Sequence, residues 1–258
     1  MVQLFRYLGI SIGAYVEAFP KLFRKGYRRY LALPILVYLG LLVGILYLMI
    51  NNLNRWLNIA LGWFGYSLGE LESYSIILVI LLQIFMFFFM SSLFKYATLI
   101  CLSPFLSFLS EKVEKEETGL EVAFELHQLL KDLLRAIRIN LLNFAKETLF
   151  TIALALLAFV PLVGLVSPFL IFLVQSYFLG YGLMDYNAER WRWSFQETDS
   201  WMRRNKGAVA TVGLIFHALF LIPFLGWIFA PAWAVVAGTK VAMRLKADGS
   251  TSSPWHSA

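Results

Sequence analysis

The most specific chemistry in the chain sits at Gly26, Tyr27, Arg28 and Arg29, directly ahead of an apolar run that starts at Tyr30. A helix starting here presents unsatisfied N–H groups and the positive end of its dipole, and both attract anions. Glycine permits close backbone approach, and arginine supplies planar, charge-assisted donors. A tetrahedral oxyanion suits this combination. The same residues also suit a topogenic basic cluster that anchors a membrane helix to phospholipid headgroups. Residue chemistry alone leaves both readings open.

No catalytic constellation emerges elsewhere. The histidines are His127, His217 and His256, and none has metal-ligand spacing with another His, Cys or carboxylate. His217 lies inside an apolar arm, where an ionisable group is a functional candidate by default. The plainer alternative is an imidazole hydrogen-bonded to a neighbouring helix. Cys101 is the only cysteine, so there is no intrachain disulfide framework and no thiolate zinc cluster. Walker, G-x-S-x-G and H-E-x-x-H motifs are absent. The sequence calls for no metal and no cofactor, and it does not read as an enzyme.

The elements that must position these residues are mostly apolar. The chain is 60% hydrophobic and 15% charged, with a mean hydropathy of +0.70. A soluble domain of 258 residues could not cover that much apolar surface with so few charges. Four apolar blocks run Tyr30–Ile50, Tyr74–Ile100, Thr148–Met184 and Ala208–Met243. Nearly all of the 22 Lys and Arg residues flank them; Arg55 alone lies in the 51–73 connection and Lys95 lies inside the second block. The net charge of +6 is therefore an orientation signal, with basic segments held on the cytoplasmic side. No nucleic-acid motif accompanies it. The N-terminus is not a cleavable signal, because Glu17 interrupts its apolar stretch. Phe5, Leu8, Ile12, Tyr15, Phe19 and Leu22 recur instead at the spacing of an interfacial amphipathic helix.

Blocks one and two predict two long transmembrane helices, with Pro34 in the first turns of the first. The 51–73 connection reads as an exterior loop with interfacial Trp56, Trp63 and Tyr66. Residues Glu111–Glu117 read as a solvated helix end closing at Thr118-Gly119. Further on, Lys131, Arg135 and Arg138 share one helical face and Leu134, Ile137, Leu141 and Phe144 another, which predicts a cytoplasmic amphipathic helix. Blocks three and four are each cut by a Pro-Gly turn, at Pro161/Gly164 and Pro223/Gly226, with Pro168 and Pro231 downstream. Both read as helical hairpins. The arm Thr148–Val160 would be about 20 Å long as a helix, short of the roughly 30 Å hydrocarbon core. The alternative to partial penetration is a plain pair of short spanning helices.

The order of these motifs resembles the CysZ family of bacterial sulfate transporters, within the etoposide-induced-protein domain superfamily. Gly26-Tyr27-Arg28-Arg29 with Pro34 looks like the family's Gly-x-Arg-Arg-x-x-x-x-Pro motif. Ser103-Pro104-Phe105, Pro161 with Gly164 and Pro168, Asp185-Tyr186, Arg203-Arg204-Asn205-Lys206-Gly207, and Pro223 with Gly226 and Pro231 follow in family order. The resemblance covers about residues 10–245. Tyr27 replaces a usually aliphatic residue, and Asn187-Ala188-Glu189 replaces a Pro-containing stretch.

The resemblance implies an all-α integral membrane protein of the inner membrane, with two long transmembrane helices and two partly penetrating hairpins. It implies ATP-independent uptake of sulfate or sulfite for cysteine synthesis, by a homo-oligomer in the lipid bilayer. It places substrate on Gly26, Tyr27, Arg28 and Arg29. The charge map adds cytoplasmic N- and C-termini, a single membrane domain over 1–246 and a disordered tail over 247–258. A competing class is a non-transporting scaffold that shapes the membrane.

Overall fold

A computed structural model describes residues 2–63, 65, 67, 69, 76–119, 126–157, 163–222 and 225–250. Side chains at 25–26, 28–35, 76–92 and 126–130 are among those outside the described set. Regular structure among the described residues is helical: α1 (Val2–Leu22), α2 (Lys25–Gly62), α3 (Ile76–Thr118), α4 (Leu126–Leu157), α5 (Val163–Arg190), α6 (Phe195–Arg204), α7 (Lys206–Phe220) and α8 (Leu225–Ser250).

The helices are longer than the apolar blocks that seeded them. Helix α2 begins at Lys25 and continues to Gly62, about 57 Å of rise. Most of the expected 51–73 exterior loop is therefore helix. Asn51 and Asn52 donate their side-chain amides to the Tyr47 and Leu48 carbonyls one turn back, and no Pro or Gly falls between Asn51 and Gly62. The early start also moves Pro34 beyond the first turn. Helix α3 carries block two through to Thr118. Pro104 removes the N–H that would bind the Ile100 carbonyl, and the Ser103 hydroxyl donates to that carbonyl at 2.8 Å instead. The helix ends where expected, with Gly119 at φ +71° and its N–H on the Lys115 carbonyl.

Helix α4 fuses the expected amphipathic segment to the first arm of hairpin one. This overturns the arm-length argument. Leu133–Leu157 and Val166–Arg190 are each 25 residues and apolar enough to cross a membrane. The arm looked short because the apolar run begins only after Glu147, yet Glu147 is buried, as are Asn140 and Asn143 before it. Leu134, Leu141, Leu149, Phe150 and Leu156 face outward instead, as lipid-facing residues do. Leu134 and Leu141, on the apolar face of the expected amphipathic segment, thus lie on the outside. The tip residues 158–162 and 223–224 lie outside the described residues. Helix α7 is 15 residues, about 22 Å, and remains shorter than the hydrocarbon core.

Helix α1 forms as expected and packs on α7 and α8. Tyr15 donates to the Val212 carbonyl at 2.9 Å, Trp233 donates to the Tyr15 carbonyl at 2.7 Å, and the Ser11 and Thr211 hydroxyls meet at 2.8 Å. Helix α8 runs through 247–250, where a disordered tail was expected, and Asp248 pairs with Arg6 at 3.1 Å. Residues 251–258 lie outside the described set.

Helices α5 and α7 cross with their backbones in contact. A Cβ on Gly180 would lie 1.9 Å from the Val209 carbonyl oxygen, and one on Gly213 would lie 1.8 Å from the Ser176 carbonyl oxygen. Small residues let helix backbones touch, which is the main packing device where lipid removes the hydrophobic drive between helices. Gly213→Val should force the pair apart at a cost of at least about 1–3 kcal/mol. Thermal unfolding in detergent would show it, with Gly44→Val, where a Cβ meets nothing within 4 Å, as the control. Equal stability of Gly213→Val and wild type would refute the crossing.

Candidate functional site

The Gly26–Arg29 segment occupies the first turn of α2, not a connection ahead of it. That turn contains no acidic residue, and its N-cap Arg24 makes no side-chain cap. The Arg24 side chain therefore caps none of the helix-start donors. The side chains of Arg28 and Arg29 lie outside the described residues.

Tyr27 takes a different part from the expected one. Its N–H donates to the Arg24 carbonyl at 2.9 Å, and its hydroxyl donates to Glu116 at 2.7 Å. The ring is buried, with the Lys112 ammonium 4.5 Å from its centroid. Burial, then the Glu116 carboxylate, push its hydroxyl far above the ordinary range. Tyr27 is a clamp that fixes the start of α2 on the end of α3. An aliphatic residue here could not make the Glu116 bond.

The clamp belongs to an ion-pair chain linking four helices. Lys21 of α1 reaches Glu117 at 2.7 Å and Glu116 at 3.6 Å. Lys240 of α8 joins Glu117 at 3.3 Å to Glu17 at 2.5 Å, and Arg244 grips both Glu17 oxygens at 2.9 Å. The carboxylates of Glu111–Glu117 are thus more than a solvated end: Glu114 also takes Arg190 at 2.8 Å and the Trp191 indole at 2.9 Å. Sequence reasoning missed these partners because they lie about 75 or more residues apart along the chain.

A second polar feature runs along α4. Asn140, Asn143, Glu147 and Thr151 fall on one face, the last eleven residues after the first, about 17 Å of rise, with Arg135 little more than a turn before them. Arg135 donates to Asp185 at 3.1 Å, to Thr198 at 2.8 Å and to the Trp193 carbonyl. Lys95 meets Glu147 at 2.6 Å, and the Tyr96 hydroxyl donates to the other Glu147 oxygen. Asn140 Oδ1, Asn143 Nδ2, Thr151 Oγ1, Thr98 Oγ1 and Tyr181 Oη are buried without a hydrogen-bond partner among the described residues. Asn140 Oδ1 abuts Gly182, where an added Cβ would come within 3.3 Å. The stripe therefore lies where α4 meets α5 and α3. The sequence did carry a signal for it, a polar residue every third or fourth position, but the charges had marked that stretch as outside the membrane.

His217 stacks on Phe172 with centroids 4.2 Å apart, and its Nδ1 lies 3.3 Å from the Ser176 hydroxyl. This is the plainer of its two readings. The Asp185-Tyr186-Asn187-Ala188-Glu189 run is buried in the centre of the molecule. Asn187 takes a hydrogen bond from Arg190 at 2.9 Å, and Glu189 takes one from Ser107 at 3.0 Å.

The family model for sulfate transporter CysZ/etoposide-induced protein 2.4 matches residues 14–231. A protein named sulfate transporter CysZ from Pseudomonas fluorescens (strain Pf0-1) is 25% identical over 222 residues, which cover 84% of this chain and 85% of that one. Its namesake from Pectobacterium atrosepticum is 27% identical, covering 84% and 78%. One from Vibrio atlanticus is 28% identical, covering 83% and 84%.

The ion-pair chain generates a pH test. Hydrogen bonds from Lys240, then Arg244, hold the Glu17 carboxyl down at about 2, against an ordinary 4.5. A depressed carboxyl contributes stability above its unfolded value and loses it as pH falls through the folded one. The Glu17 side chain is 45% exposed, so solvent screening limits the effect to under about 1 kcal/mol. Glu17→Gln should unfold at a lower temperature than wild type at pH 7, and the gap should close between pH 4.5 and pH 2. A gap independent of pH would mean that the pairing contributes nothing.

Proposed function

Since the chain belongs to the sulfate transporter CysZ/etoposide-induced protein 2.4 family, we propose that it conducts sulfate, or a related oxyanion such as sulfite, across the bacterial inner membrane. The relatives are named as sulfate transporters, and the chain spans most of their length. Uptake needs no ATP and feeds cysteine synthesis. Both termini are cytoplasmic. The protein works as a homo-oligomer of single membrane domains. Helices α2 and α3 span the bilayer, and the two Pro/Gly-tipped hairpins enter from the cytoplasmic side. The second hairpin penetrates only part of the way, because α7 is about 22 Å long.

The observation that carries this reading is the polar face of α4. A helix whose outer surface is Leu134, Leu141, Leu149 and Phe150 has no reason of stability to bury unpartnered Asn and Thr atoms. Polar groups at membrane depth mark substrate or ion paths. Asn143, Thr98, Thr151 and Tyr181 each hold a donor that can replace part of an anion's hydration shell. The carboxylates along the path are covered, Glu147 by Lys95 and Asp185 by Arg135. Such a route binds weakly at several stations, which lets an ion leave as well as enter.

The Gly26 amide, Arg28 and Arg29 form a cytoplasmic station at the start of α2, with Tyr27 as its positioning residue. Each arginine contributes about 1.5–3 kcal/mol of charge-assisted hydrogen bonding to the bound anion. No ligand contact is required of Tyr27, whose donors are both engaged.

The test is radiolabelled sulfate flux into proteoliposomes. Wild type should conduct, and the Arg28→Ala, Arg29→Ala double variant should conduct at least tenfold less. Asn143→Leu should also lower flux, at unchanged thermal stability, because Asn143 Nδ2 has no partner to lose. Absence of flux from folded, inserted wild type would favour the scaffold reading. Full flux through Asn143→Leu would remove the α4 face from the path.

A further inference from the structure

The ends of α4 and α5 and the start of α6 enclose an open cleft of about 530 Å³. Its cations are Lys131, Arg135, Arg138 and Arg192, and Glu189, Trp193 and Phe195 complete the polar and aromatic walls. Arg135 pairs with Asp185, and Glu189 is the one carboxylate in the lining. Four cations against these two carboxylates leave a formal excess of two positive charges. Lys131, Arg138 and Arg192 have no ion-pair partner among the described residues. Arg138 rests on the Phe195 ring at 5.5 Å. The Arg135 Nε–H is buried with no acceptor.

The backbone at Arg192 makes the cleft more than a collection of surface charges. Helix α5 ends in a Schellman turn: the Trp193 N–H donates to the Ala188 carbonyl and the Arg192 N–H to the Glu189 carbonyl, both at 3.0 Å. The residue between cap and tail of this turn adopts a left-handed conformation, and glycine fills it most often. Here it is Arg192, at φ 55°, the sole positive-φ residue other than glycine among those described. A long cationic side chain is thus kept where the local backbone favours none, and strain of this kind clusters at ligand sites. Trp193 and Phe195, on either side of the Ser194 cap of α6, close the wall.

We propose that this cleft binds a tetrahedral oxyanion, at a site separate from Gly26–Arg29. Arg138, Arg192 and Lys131 supply its charge, and the Arg135 Nε–H supplies a directed donor. Two sources share this chemistry. One is free sulfate on the cytoplasmic side of the α4 polar face, whose first residue, Asn140, is five positions after Arg135. The other is the phosphate of an anionic phospholipid, because Leu134 both lines the cleft and opens the outward apolar surface of α4. The site does not depend on conduction, so its test reads binding and not flux.

The experiment uses the full chain carrying Arg28→Ala and Arg29→Ala, which removes the other oxyanion station. Radiolabelled sulfate binding is measured in detergent, and retention of phosphatidylglycerol by native mass spectrometry. Arg192→Gly and Arg138→Gln are then added singly. Arg192→Gly is the decisive variant, since glycine suits the left-handed turn and thermal stability should hold or rise. Sulfate binding that falls at least tenfold in both variants supports the site with a free ion as its occupant. Phosphatidylglycerol retention lost in both, with no sulfate bound, supports it with a lipid headgroup. The proposal fails if neither probe binds, or if both variants bind like their parent.

Discussion

The bundle depends on one constraint, that the last three turns of α5 are buried on every side. Residues 178–189 are all buried. A helix so placed cannot use a simple apolar stripe, so each of its faces is matched to a different neighbour. Gly180 lets the α7 backbone touch. Gly182 makes room for Asn140 of α4. Asp185 takes Arg135 of α4, and Glu189 takes Ser107 of α3. Met184 and the Leu183 carbonyl face Gly238 of α8. A hydrophobic substitute could fill the volume at any of these positions, but it would leave the opposing polar group stranded in a low-dielectric interior.

That constraint explains why the polar groups lie inside and the leucines outside. In lipid, apolar side chains gain nothing by leaving the surface, whereas charged and amide groups gain much by finding partners within the protein. Helix α4 shows the inversion clearly. Its outward face holds Leu141, Leu149 and Phe150, and its inward face holds Asn140, Asn143 and Glu147. The same logic orders the charged end of the molecule. Glu17, Glu116 and Glu117 gather Lys21, Lys240 and Arg244 into one chain. The first turn of α2 is tied to it through Tyr27. Arginines on that turn are thereby carried on a fixed support.

Much of this was legible in the sequence, for identifiable reasons. Apolar runs and flanking cations report directly on the bilayer, so the membrane class and the helical content could be read from composition and periodicity. Local stops were also legible: Thr118-Gly119 ends α3 through a left-handed glycine, a rule needing only neighbouring residues. What could not be read was whether a polar residue in a helix ends the membrane segment or turns inward within it. Glu147 looked like a boundary because its partner, Lys95, is 52 residues away in another helix. The same limit hid the Tyr27–Glu116 bond, which changes Tyr27 from a ligand residue to a clamp. Arg192 needed no distant partner, but its φ follows from an end of α5 that only the packed structure fixes.

An anion route through such a protein must reconcile attraction with release. A line of bare cations would hold a divalent anion too tightly, and a line of bare carboxylates would exclude it. The α4 face avoids both extremes. The carboxylates beside it, Glu147 of α4 and Asp185 of α5, are each bonded to a cation, so the formal charges cancel locally. The remaining groups are neutral amides and hydroxyls, whose individual hydrogen bonds are worth only about 0.5–1.5 kcal/mol net. On the proposed reading, excess positive charge sits at the ends of this route, at the start of α2 and around Arg138 and Arg192. Strong sites at the end of a weak path would concentrate ions there without trapping them inside, and the described residues suit that reading because Glu147 and Asp185 are paired with cations while selected neutral donors are left unpaired.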